Sequence, residues 1–405
     1  MGLLFTIAIL SSFYLTPVAI RLAWQFDAVS RPDGFRKKHA RPTPEWGGIA
    51  VSTTILLGIG LACLLFPFDA AAVTFAAALA VSVAMLCALG CYDDLCDMRA
   101  SLKLVGQILA ITPLMVVGCW TERLELFGWT VELGWLGIAW TMAWFVLGIN
   151  ALNLIDGMDG LASTISLIAA LMIAMIAAAT GNLPVLAIAL VLAGAMIGFL
   201  AYNLPPARIY LGDCGSMVLG LMLAVLAMRA VPSTDGVLPV LLASLLLVPL
   251  ADTLLAVVRR RLSGQGVMAA DRGHVHHRLL DQGFGVWGSL AVLGGISIFS
   301  GALACVATLS GNEAWAWGGI ALIAVGCVRY GLVGHVEWSL MRGRLAPKSW
   351  QSQPKSTEIP SPRMTATTDR TTNSAPTTLS APVPSRSISA ALSKRSDAGS
   401  LTSVK

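Results

Sequence analysis

Apolar runs long enough to cross a lipid bilayer recur along most of this chain, and they constrain its fold more than any other feature. A transmembrane helix needs roughly 20 mostly apolar residues. Of the 405 residues, 56% are hydrophobic and 12% are charged, whereas soluble domains carry about 25% charged residues. Eleven segments qualify, at about 3–24, 47–67, 70–92, 104–120, 133–152, 161–179, 183–203, 215–231, 237–258, 288–309 and 314–334. The sequence therefore predicts an all-α, polytopic membrane helix bundle.

The basic residues predict how this bundle is oriented. Lys and Arg concentrate in short cytoplasmic loops, and taking the loops alternately leaves little beyond Arg123 on one side. The other side, which we assign to the cytoplasm, holds Arg31, Arg36, Lys37, Lys38, Arg41, Arg99, Lys103, Arg208, Arg259, Arg260, Arg261, Arg272 and Arg278. With eleven spans, the N-terminus is expected outside and the C-terminus in the cytoplasm. The first apolar run lacks the features of a cleaved signal and is expected to stay as a helix.

The composition changes near residue 346. Residues 351–405 are rich in Ser, Thr, Pro and Ala and have almost no aromatic residues. Such sequence buries too little apolar surface to offset the entropy of ordering. We predict a membrane-embedded domain over 1–345 and a disordered cytoplasmic tail without a catalytic role over 346–405. The eight cysteines have no spacing typical of a disulfide framework or a zinc site.

Carboxylates gather on the predicted inner side of the membrane, where they are costly and therefore indicate function. They are Asp93, Asp94, Asp97, Asp156, Asp159, Asp213, Asp252 and Asp271, whereas the outer acids are scattered. A transporter or lipid flippase, the alternative from another functional class, predicts ionisable residues near the midplane and on both faces. The one-sided acids favour an enzyme.

The acids after the third span are expected to repel one another. On a helix, Asp93 and Asp97 share a face and Asp94 points about 100° away. A divalent cation or a basic partner would relieve this repulsion. The alternative is a solvated helix end whose acids pair with Arg99 and Lys103.

Two further segments place polar groups at the same side. Asn150, Asn153 and Asp156 lie within one arc of a helix, before glycines that let the chain turn. They predict a ligand-facing wall or, alternatively, hydrogen bonds between helices. Asp213, flanked by glycines at a helix start, suits anion binding and a Mg²⁺ ligand. The alternative role for Asp213 is an N-cap.

Two basic loops complete the pattern. His274, His276 and His277 lie between Arg272 and Arg278 and predict a phosphate-binding patch. The alternatives are contact with anionic lipid head groups and a zinc site, for which no fourth ligand stands out. The first inner loop carries Lys38 and His39 in a basic run before Pro-Thr-Pro and Gly-Gly. The prolines and glycines indicate a loop of defined conformation. The alternative is a basic run that only sets the membrane topology.

Together these motifs resemble the polyprenyl-phosphate N-acetylhexosamine-1-phosphate transferases. Five elements occur in the family's order over about residues 20–285: Lys38-His39 with Pro42-Thr43-Pro44 and Gly47-Gly48, Asp93-Asp94-x-x-Asp97, Asn153-x-x-Asp156-Gly-x-Asp159-Gly160, Gly212-Asp213-x-Gly215-Ser216, and His274-x-His276-His277-Arg278. The histidine loop resembles the branch that starts O-antigen, common-antigen and teichoic-acid lipid-linked sugars from UDP-N-acetylglucosamine. The peptidoglycan branch, the phospho-N-acetylmuramoyl-pentapeptide transferases, carries consecutive histidines there and is the alternative.

The resemblance implies transfer of an N-acetylhexosamine 1-phosphate, N-acetylglucosamine 1-phosphate by preference, from a UDP-sugar to undecaprenyl phosphate with release of UMP. It implies a multi-pass protein of the bacterial cytoplasmic (inner) membrane, with its active site on the cytoplasmic face. The implied cofactor is Mg²⁺, with Mn²⁺ as the alternative ion. Membrane lipids are further partners, a homodimer is left open, and no nucleic acid partner is expected.

The resemblance also implies roles for individual residues. Asp213 is the expected metal ligand. The expected catalytic residues are Asp93, Asp94, Asp156, Asp159, His276 and His277, of which Asp93 and Asp94 would orient or deprotonate the lipid phosphate. The expected substrate-binding residues are Lys38, His39, Asn153, His274 and Arg278.

Overall fold

The computed structural model describes residues 1–31, 42–230, 236–264 and 273–333, together with Ser339. The chain divides into two units, 1–351 and 352–405, and the second lies outside the described residues. The predicted tail and the predicted site residues Lys38 and His39 also lie outside them. Those expectations therefore stay predictions.

The described part is mostly helical. Its helices are α1 (Gly2–Gln25), α2 (Gly47–Leu65), α3 (Ala70–Cys96), α4 (Ala100–Val116), α5 (Leu136–Ile155), α6 (Leu161–Ala179), α7 (Leu183–Asn203), α8 (Asp213–Ala230), α9 (Pro239–Leu245), α10 (Leu247–Leu262), α11 (Val275–Asp281), α12 (Gly285–Ser310) and α13 (Ala314–Arg329). Two short antiparallel pairs join strands β1 (Val29–Ser30) and β2 (Thr43–Pro44), and strands β3 (Arg123–Leu126) and β4 (Trp129–Glu132).

Length and composition confirm a multi-pass membrane protein. Within the described ranges, eight helices are long and apolar enough to span a bilayer, and the bent pair α9–α10 would add a ninth. The shorter apolar helices α4 and α13 coincide with the fourth and eleventh predicted spans. The count of eleven and the orientation of the termini stay predictions.

The ninth predicted span is not one straight helix. α9 and α10 meet at a bend of 95°, and Leu246 between them has φ −115° and ψ 26°. Pro249 explains the break, because a proline inside a continuous helix lacks an N–H for the carbonyl four residues earlier and clashes with it. The break leaves Pro249 in the first turn of α10, where no such hydrogen bond is needed.

Helix α8 forms the centre of the bundle. Its side chains from Cys214 to Met228 are buried, and it packs against α2, α3, α5 and α6. A helix that is apolar all round belongs in a core. Glycines let the neighbouring backbones come close, since a Cβ at Gly90 of α3 would overlap with the backbone of Cys214, and one at Gly48 of α2 with that of Gly215. This packing brings the end of α3 to the start of α8.

Candidate functional site

Lys103, in the first turn of α4, lies among the acids at one end of the bundle. Its Nζ is 2.8 Å from Oδ2 of Asp93 and also contacts Oδ2 of Asp213. It donates a further hydrogen bond of 3.3 Å to Oδ1 of Asn153. One ammonium group therefore connects the end of α3, the end of α5 and the start of α8.

The neighbouring acids have distinct partners. Oδ1 of Asp94 accepts a hydrogen bond of 2.8 Å from the backbone N–H of Asp213, and Oδ2 accepts one of 3.4 Å from that of Cys214. A carboxylate at a helix N-terminus satisfies otherwise unpaired N–H groups and interacts favourably with the helix dipole. Asp94 thus caps α8 from another helix. The alternative role of Asp213 as an N-cap is wrong, because its own side chain points to Lys103 and Asn153.

The expected sharing of one helix face by Asp93 and Asp97 is also wrong. Helix α3 ends at Cys96, and Asp97 follows with a left-handed φ of 47°, so the four-residue spacing no longer aligns the two side chains. Asp97 is exposed. Asp93 instead turns towards Lys103 and accepts a hydrogen bond of 2.8 Å from the backbone N–H of Met98.

The polar side chains Asn150 and Asn153 of α5 form hydrogen bonds between helices, which was the alternative to a ligand-facing wall, and the wall itself stays a prediction. Asn153 donates through Nδ2 to Oδ1 of Asp213 at 2.7 Å and to Oγ of Ser216 at 2.9 Å. One turn earlier, Nδ2 of Asn150 donates to Oε1 of Gln107 at 2.8 Å. Gln107 is fully buried, so the amide pair ties α4 to α5 one turn below Lys103.

Asp156 and Asp159 lie on the loop that follows α5. Withdrawal from solvent, with the negative charges of Asp213 and Asp94 nearby, raises the pKa of Asp156 to about 8. Asp156 therefore belongs to the same electrostatic cluster. Asp159 accepts a hydrogen bond of 2.9 Å from the backbone N–H of Ala207, and its charge adds to the burial that raises the pKa of Tyr210. Asp159 thus holds the loop that leads into α8.

The three histidines form one cluster around the start of α11. The ring centroids of His274 and His276 are 5.8 Å apart, and those of His276 and His277 are 4.2 Å apart. A Cβ added at Gly157 would lie 2.9 Å from Nε2 of His276, so His276 touches the loop that carries Asp156. Both ring nitrogens of His276 are buried without a hydrogen-bond partner among the described residues.

The residues around the start of α11 also interact with one another and with groups of neighbouring elements. Burial, with the positive charge of His277 beside it, lowers the pKa of His276 to about 4. Nδ1 of His274 lies 2.7 Å from Oδ2 of Asp252. Arg278 donates through Nε to the carbonyl of Gly273 at 3.0 Å and through Nη1 to that of Leu332 at 2.9 Å. Its binding to phosphate stays a prediction.

The oxygen donors of the cluster suit a hard cation. Mg²⁺ is commonly held by one or two carboxylates, with water and substrate phosphates completing its coordination. Among the described residues, no group of three or more His, Cys, Asp or Glu side chains converges tightly enough to hold a metal ion. Asp213 and Asp93, which approach the same ammonium group, therefore fit Mg²⁺ only if a substrate or water supplies further oxygens.

Sequence reasoning missed three residues of this arrangement. Lys103 was assigned to topology or to pairing at a solvated helix end, although it also reaches Asp213 across 110 positions of sequence. Gln107 lies within the fourth apolar run, at 104–120, and was assigned no role. Asp252 was recognised as an inner-side acid without a partner. The available signals were polar groups in or next to apolar runs: the cation of Lys103, the amide of Gln107 and the acid of Asp252.

Comparison with known proteins adds independent information. Residues 75–231 match the sequence profile of the family described as glycosyl transferase family 4. A probable undecaprenyl-phosphate N-acetylglucosaminyl 1-phosphate transferase of Bacillus subtilis (strain 168) is 32% identical over 295 residues, 71% of this chain and 79% of the relative. A decaprenyl-phosphate N-acetylglucosaminephosphotransferase of Mycolicibacterium smegmatis is 36% identical over 69% of this chain and 74% of the relative. A phospho-N-acetylmuramoyl-pentapeptide-transferase of Moorella thermoacetica is 34% identical over only 53% of this chain and 65% of the relative.

Proposed function

Because the chain belongs to the polyprenyl-phosphate N-acetylhexosamine-1-phosphate transferase family, we propose that it transfers N-acetylglucosamine 1-phosphate from UDP-N-acetylglucosamine to undecaprenyl phosphate. The observation that carries this proposal is the convergence of Lys103, Asp93, Asn153 and Asp213 at one end of the bundle. The proposal includes the bacterial cytoplasmic membrane as location and its cytoplasmic face as the site. A soluble nucleotide sugar and a lipid phosphate meet at such a boundary.

In the proposed reaction, an oxygen of the polyprenyl phosphate attacks the sugar-linked phosphorus of the donor. A new P–O bond forms, the P–O bond to the uridylyl group breaks, and UMP leaves. Phosphoryl transfer depends mainly on positioning and on neutralising charge. The ammonium group of Lys103 is suited to this, because phosphate oxygens can replace the carboxylate and amide oxygens that now accept its hydrogen bonds.

Asp213, with Asp93 beside it, would hold Mg²⁺ or Mn²⁺, and the bound ion would supply positive charge to the phosphates. Asp94 keeps Asp213 in place through the first N–H groups of α8, and its remaining lone pairs would accept the proton of a protonated lipid phosphate. This division of roles follows from the different partners of the two neighbouring acids on α3.

The donor nucleotide would occupy the side of the site formed by the loop after α5 and by α11. Asp156 would face the nucleotide or help to hold the metal, and a bound cation would offset the negative charges of Asp213 and Asp94 that raise its pKa. His276 is uncharged at neutral pH because its pKa is about 4, and a neutral imidazole offers one donor and one acceptor. Its ring nitrogens are buried without a hydrogen-bond partner among the described residues, so a group of the donor would reach them only by displacing part of the loop after α5.

The test is UMP release by the purified protein in lipid nanodiscs containing undecaprenyl phosphate and Mg²⁺. UDP-N-acetylglucosamine, UDP-N-acetylgalactosamine and the UDP-muramoyl-pentapeptide are compared as donors, with Asp213→Asn as the inactive control. We expect turnover with UDP-N-acetylglucosamine and none with the muramoyl pentapeptide. The reverse preference would assign the protein to the peptidoglycan branch, and inertness towards all donors would refute the proposed reaction.

The cytoplasmic location of the site has a separate test. Reporters fused after Gly264 and after Trp24 should lie in the cytoplasm, and a reporter fused after Val117 should lie outside. An external position for Gly264 would contradict the proposal, because nucleotide sugars are cytosolic.

A further inference from the structure

We propose that Asp252 is a positioning residue that acts through His274 to set the register of α11 against the donor-binding loop. This inference rests on the proposed function, since it concerns how the histidine cluster meets the donor. Asp252 does not touch the reacting groups in this arrangement. Its effect on turnover would be transmitted by the ring of His274 and by the backbone at the start of α11.

The two oxygens of Asp252 hold two different groups of the same segment. Oδ2 lies 2.7 Å from Nδ1 of His274, and Oδ1 accepts a hydrogen bond of 2.8 Å from the backbone N–H of Val275. Asp252 is 1% exposed and His274 is 6% exposed. A buried carboxylate needs such partners because it has lost its hydration. The pair therefore fixes both the ring and the first turn of the helix.

The contact with Asp252 also selects the state of the imidazole. An ionised carboxylate only accepts hydrogen bonds, so Nδ1 of His274 must carry a proton. In a neutral ring, Nε2 is then the acceptor and is directed away from Asp252. A carboxylate that orients a functional histidine in this way commonly changes activity about 10- to 100-fold when it is removed.

The position of α11 matters because its next histidine reaches the donor-binding loop. The rings of His274 and His276 are nearly parallel, with an interplanar angle of 12°. Nε2 of His276 lies against Gly157, where an added Cβ would be only 2.9 Å away. A shift at the start of α11 would therefore move His276 relative to Asp156. Anchoring by Asp252 limits such a shift.

The anchor comes from a transmembrane element that the 95° bend has redirected. Asp252 lies in the second turn of α10, after the break at Leu246 and the proline at position 249. The bend therefore has a functional consequence in addition to its geometric cause. It brings the buried carboxylate of Asp252 from the bundle to α11. The connection between α10 and α11 lies partly outside the described residues.

The variants Asp252→Asn, Asp252→Glu, His274→Ala and the double variant Asp252→Asn/His274→Ala test this inference in the UMP-release assay. Asparagine has nearly the same shape and its carbonyl oxygen can still accept from the N–H of Val275, but the amide nitrogen that then faces Nδ1 of His274 is a donor and cannot accept its proton. We expect Asp252→Asn to lower kcat about 10- to 100-fold at temperatures well below its unfolding midpoint, although loss of one partner of a buried pair also lowers that midpoint. Asp252→Glu should restore part of the activity. The asparagine change should have no further effect once His274 is alanine.

The matched control is Asp281→Asn, which removes an exposed acid from the same helix α11 and should leave kcat unchanged. Additive losses in the double variant would show a merely structural role, as would a loss of activity that disappears when the variant is assayed well below its unfolding midpoint. Unchanged kcat in Asp252→Asn would also overturn the inference. Wild-type turnover in the same assay separates these outcomes from a failure of the proposed reaction.

A second measurement does not depend on the donor. Carbethoxylation of His274 by diethyl pyrocarbonate, followed by mass spectrometry, reports whether Asp252 restrains this ring. The rate should rise several-fold in Asp252→Asn and stay unchanged in Asp281→Asn. Equal rates in wild type and Asp252→Asn would refute the restraint even if the protein proved inactive towards every UDP-sugar.

Discussion

Replacing Lys103 by methionine removes the positive charge at the centre of the site while keeping a side chain of similar length. Nζ of Lys103 is 2.8 Å from Asp93, and the two side chains are 16% and 8% exposed. With an effective dielectric constant of about 20, two charges at this separation interact by roughly 6 kcal/mol before desolvation is subtracted. Removal of one partner from a buried pair typically costs about 3–5 kcal/mol. We expect the lower end of that range, because both groups retain some contact with solvent.

The catalytic effect should be separable from this loss of stability. Loss of one donor aimed at developing charge costs about 10²- to 10³-fold in kcat, and we expect this decrease for Lys103→Met in the nanodisc assay. Lys103→Arg should recover only part of it, because a planar guanidinium cannot reproduce the contacts of a compact ammonium. Without the ammonium, Asp93 and Asp213 would repel each other. Mg²⁺ should therefore raise the unfolding midpoint of Lys103→Met more than that of the wild type.

The matched control is Arg99→Met, which removes one positive charge from an exposed residue immediately before α4. It should change kcat by less than about threefold, because surface charges contribute little. Retention of kcat within a few-fold in Lys103→Met would refute a phosphate-binding role for this lysine. An equal loss in Arg99→Met would assign the effect to the general charge of the membrane face.

Further predictions concern the acids, the buried amides and the histidines. Asp213→Asn should abolish UMP release while the protein still folds in membranes, because an amide is a poor ligand for a hard cation. A chelator should abolish UMP release by wild type until Mg²⁺ is restored. Near-normal turnover in the variant would exclude Asp213 from the metal site. Gln107→Leu should lower the free energy of unfolding by about 1–3 kcal/mol, measured by thermal or denaturant unfolding, because the half-buried amide of Asn150 loses its hydrogen bonds to Gln107. The contribution of His276 to the free energy of unfolding should fall by up to about 3 kcal/mol as the pH is lowered from 6.5 to 4, because the unfolded chain protonates His276 in this range whereas the folded pKa is about 4. It is measured as the difference between the pH profiles of wild type and His276→Gln, because the raised pKa of Asp156 acts in the opposite direction.

Most of the bundle could be predicted from the sequence because a bilayer imposes a minimum length on apolar helices. The bend between α9 and α10 could not, since average hydropathy does not distinguish a straight apolar helix from two shorter ones. Pro249 was a local signal of the break. Its effect depends on which carbonyl faces the ring, and the apolar pattern alone does not show that.

The gathering of the site residues was also predictable, because helices that start or end at the same membrane face bring their terminal side chains together. Asp93, Asp94, Asn153 and Asp213 meet in this way. The sequence could not show which acid caps α8 and which faces the cation. That choice depends on the close approach of α3 and α8 at Gly90 and Cys214, which is a property of the packed helices.

Lys103 illustrates why charge counting conceals a functional cation. A lysine at the inner end of a helix is counted as a topology determinant, and the same position allows it to reach carboxylates at the ends of neighbouring helices. Orientation depends on the sum of many inner-side charges, whereas the contacts with Asp93 and Asp213 depend on this one ammonium group. Replacement of Lys103 should therefore leave the orientation of the chain intact. A loss of activity in a correctly inserted Lys103→Met variant can then be attributed to the site itself.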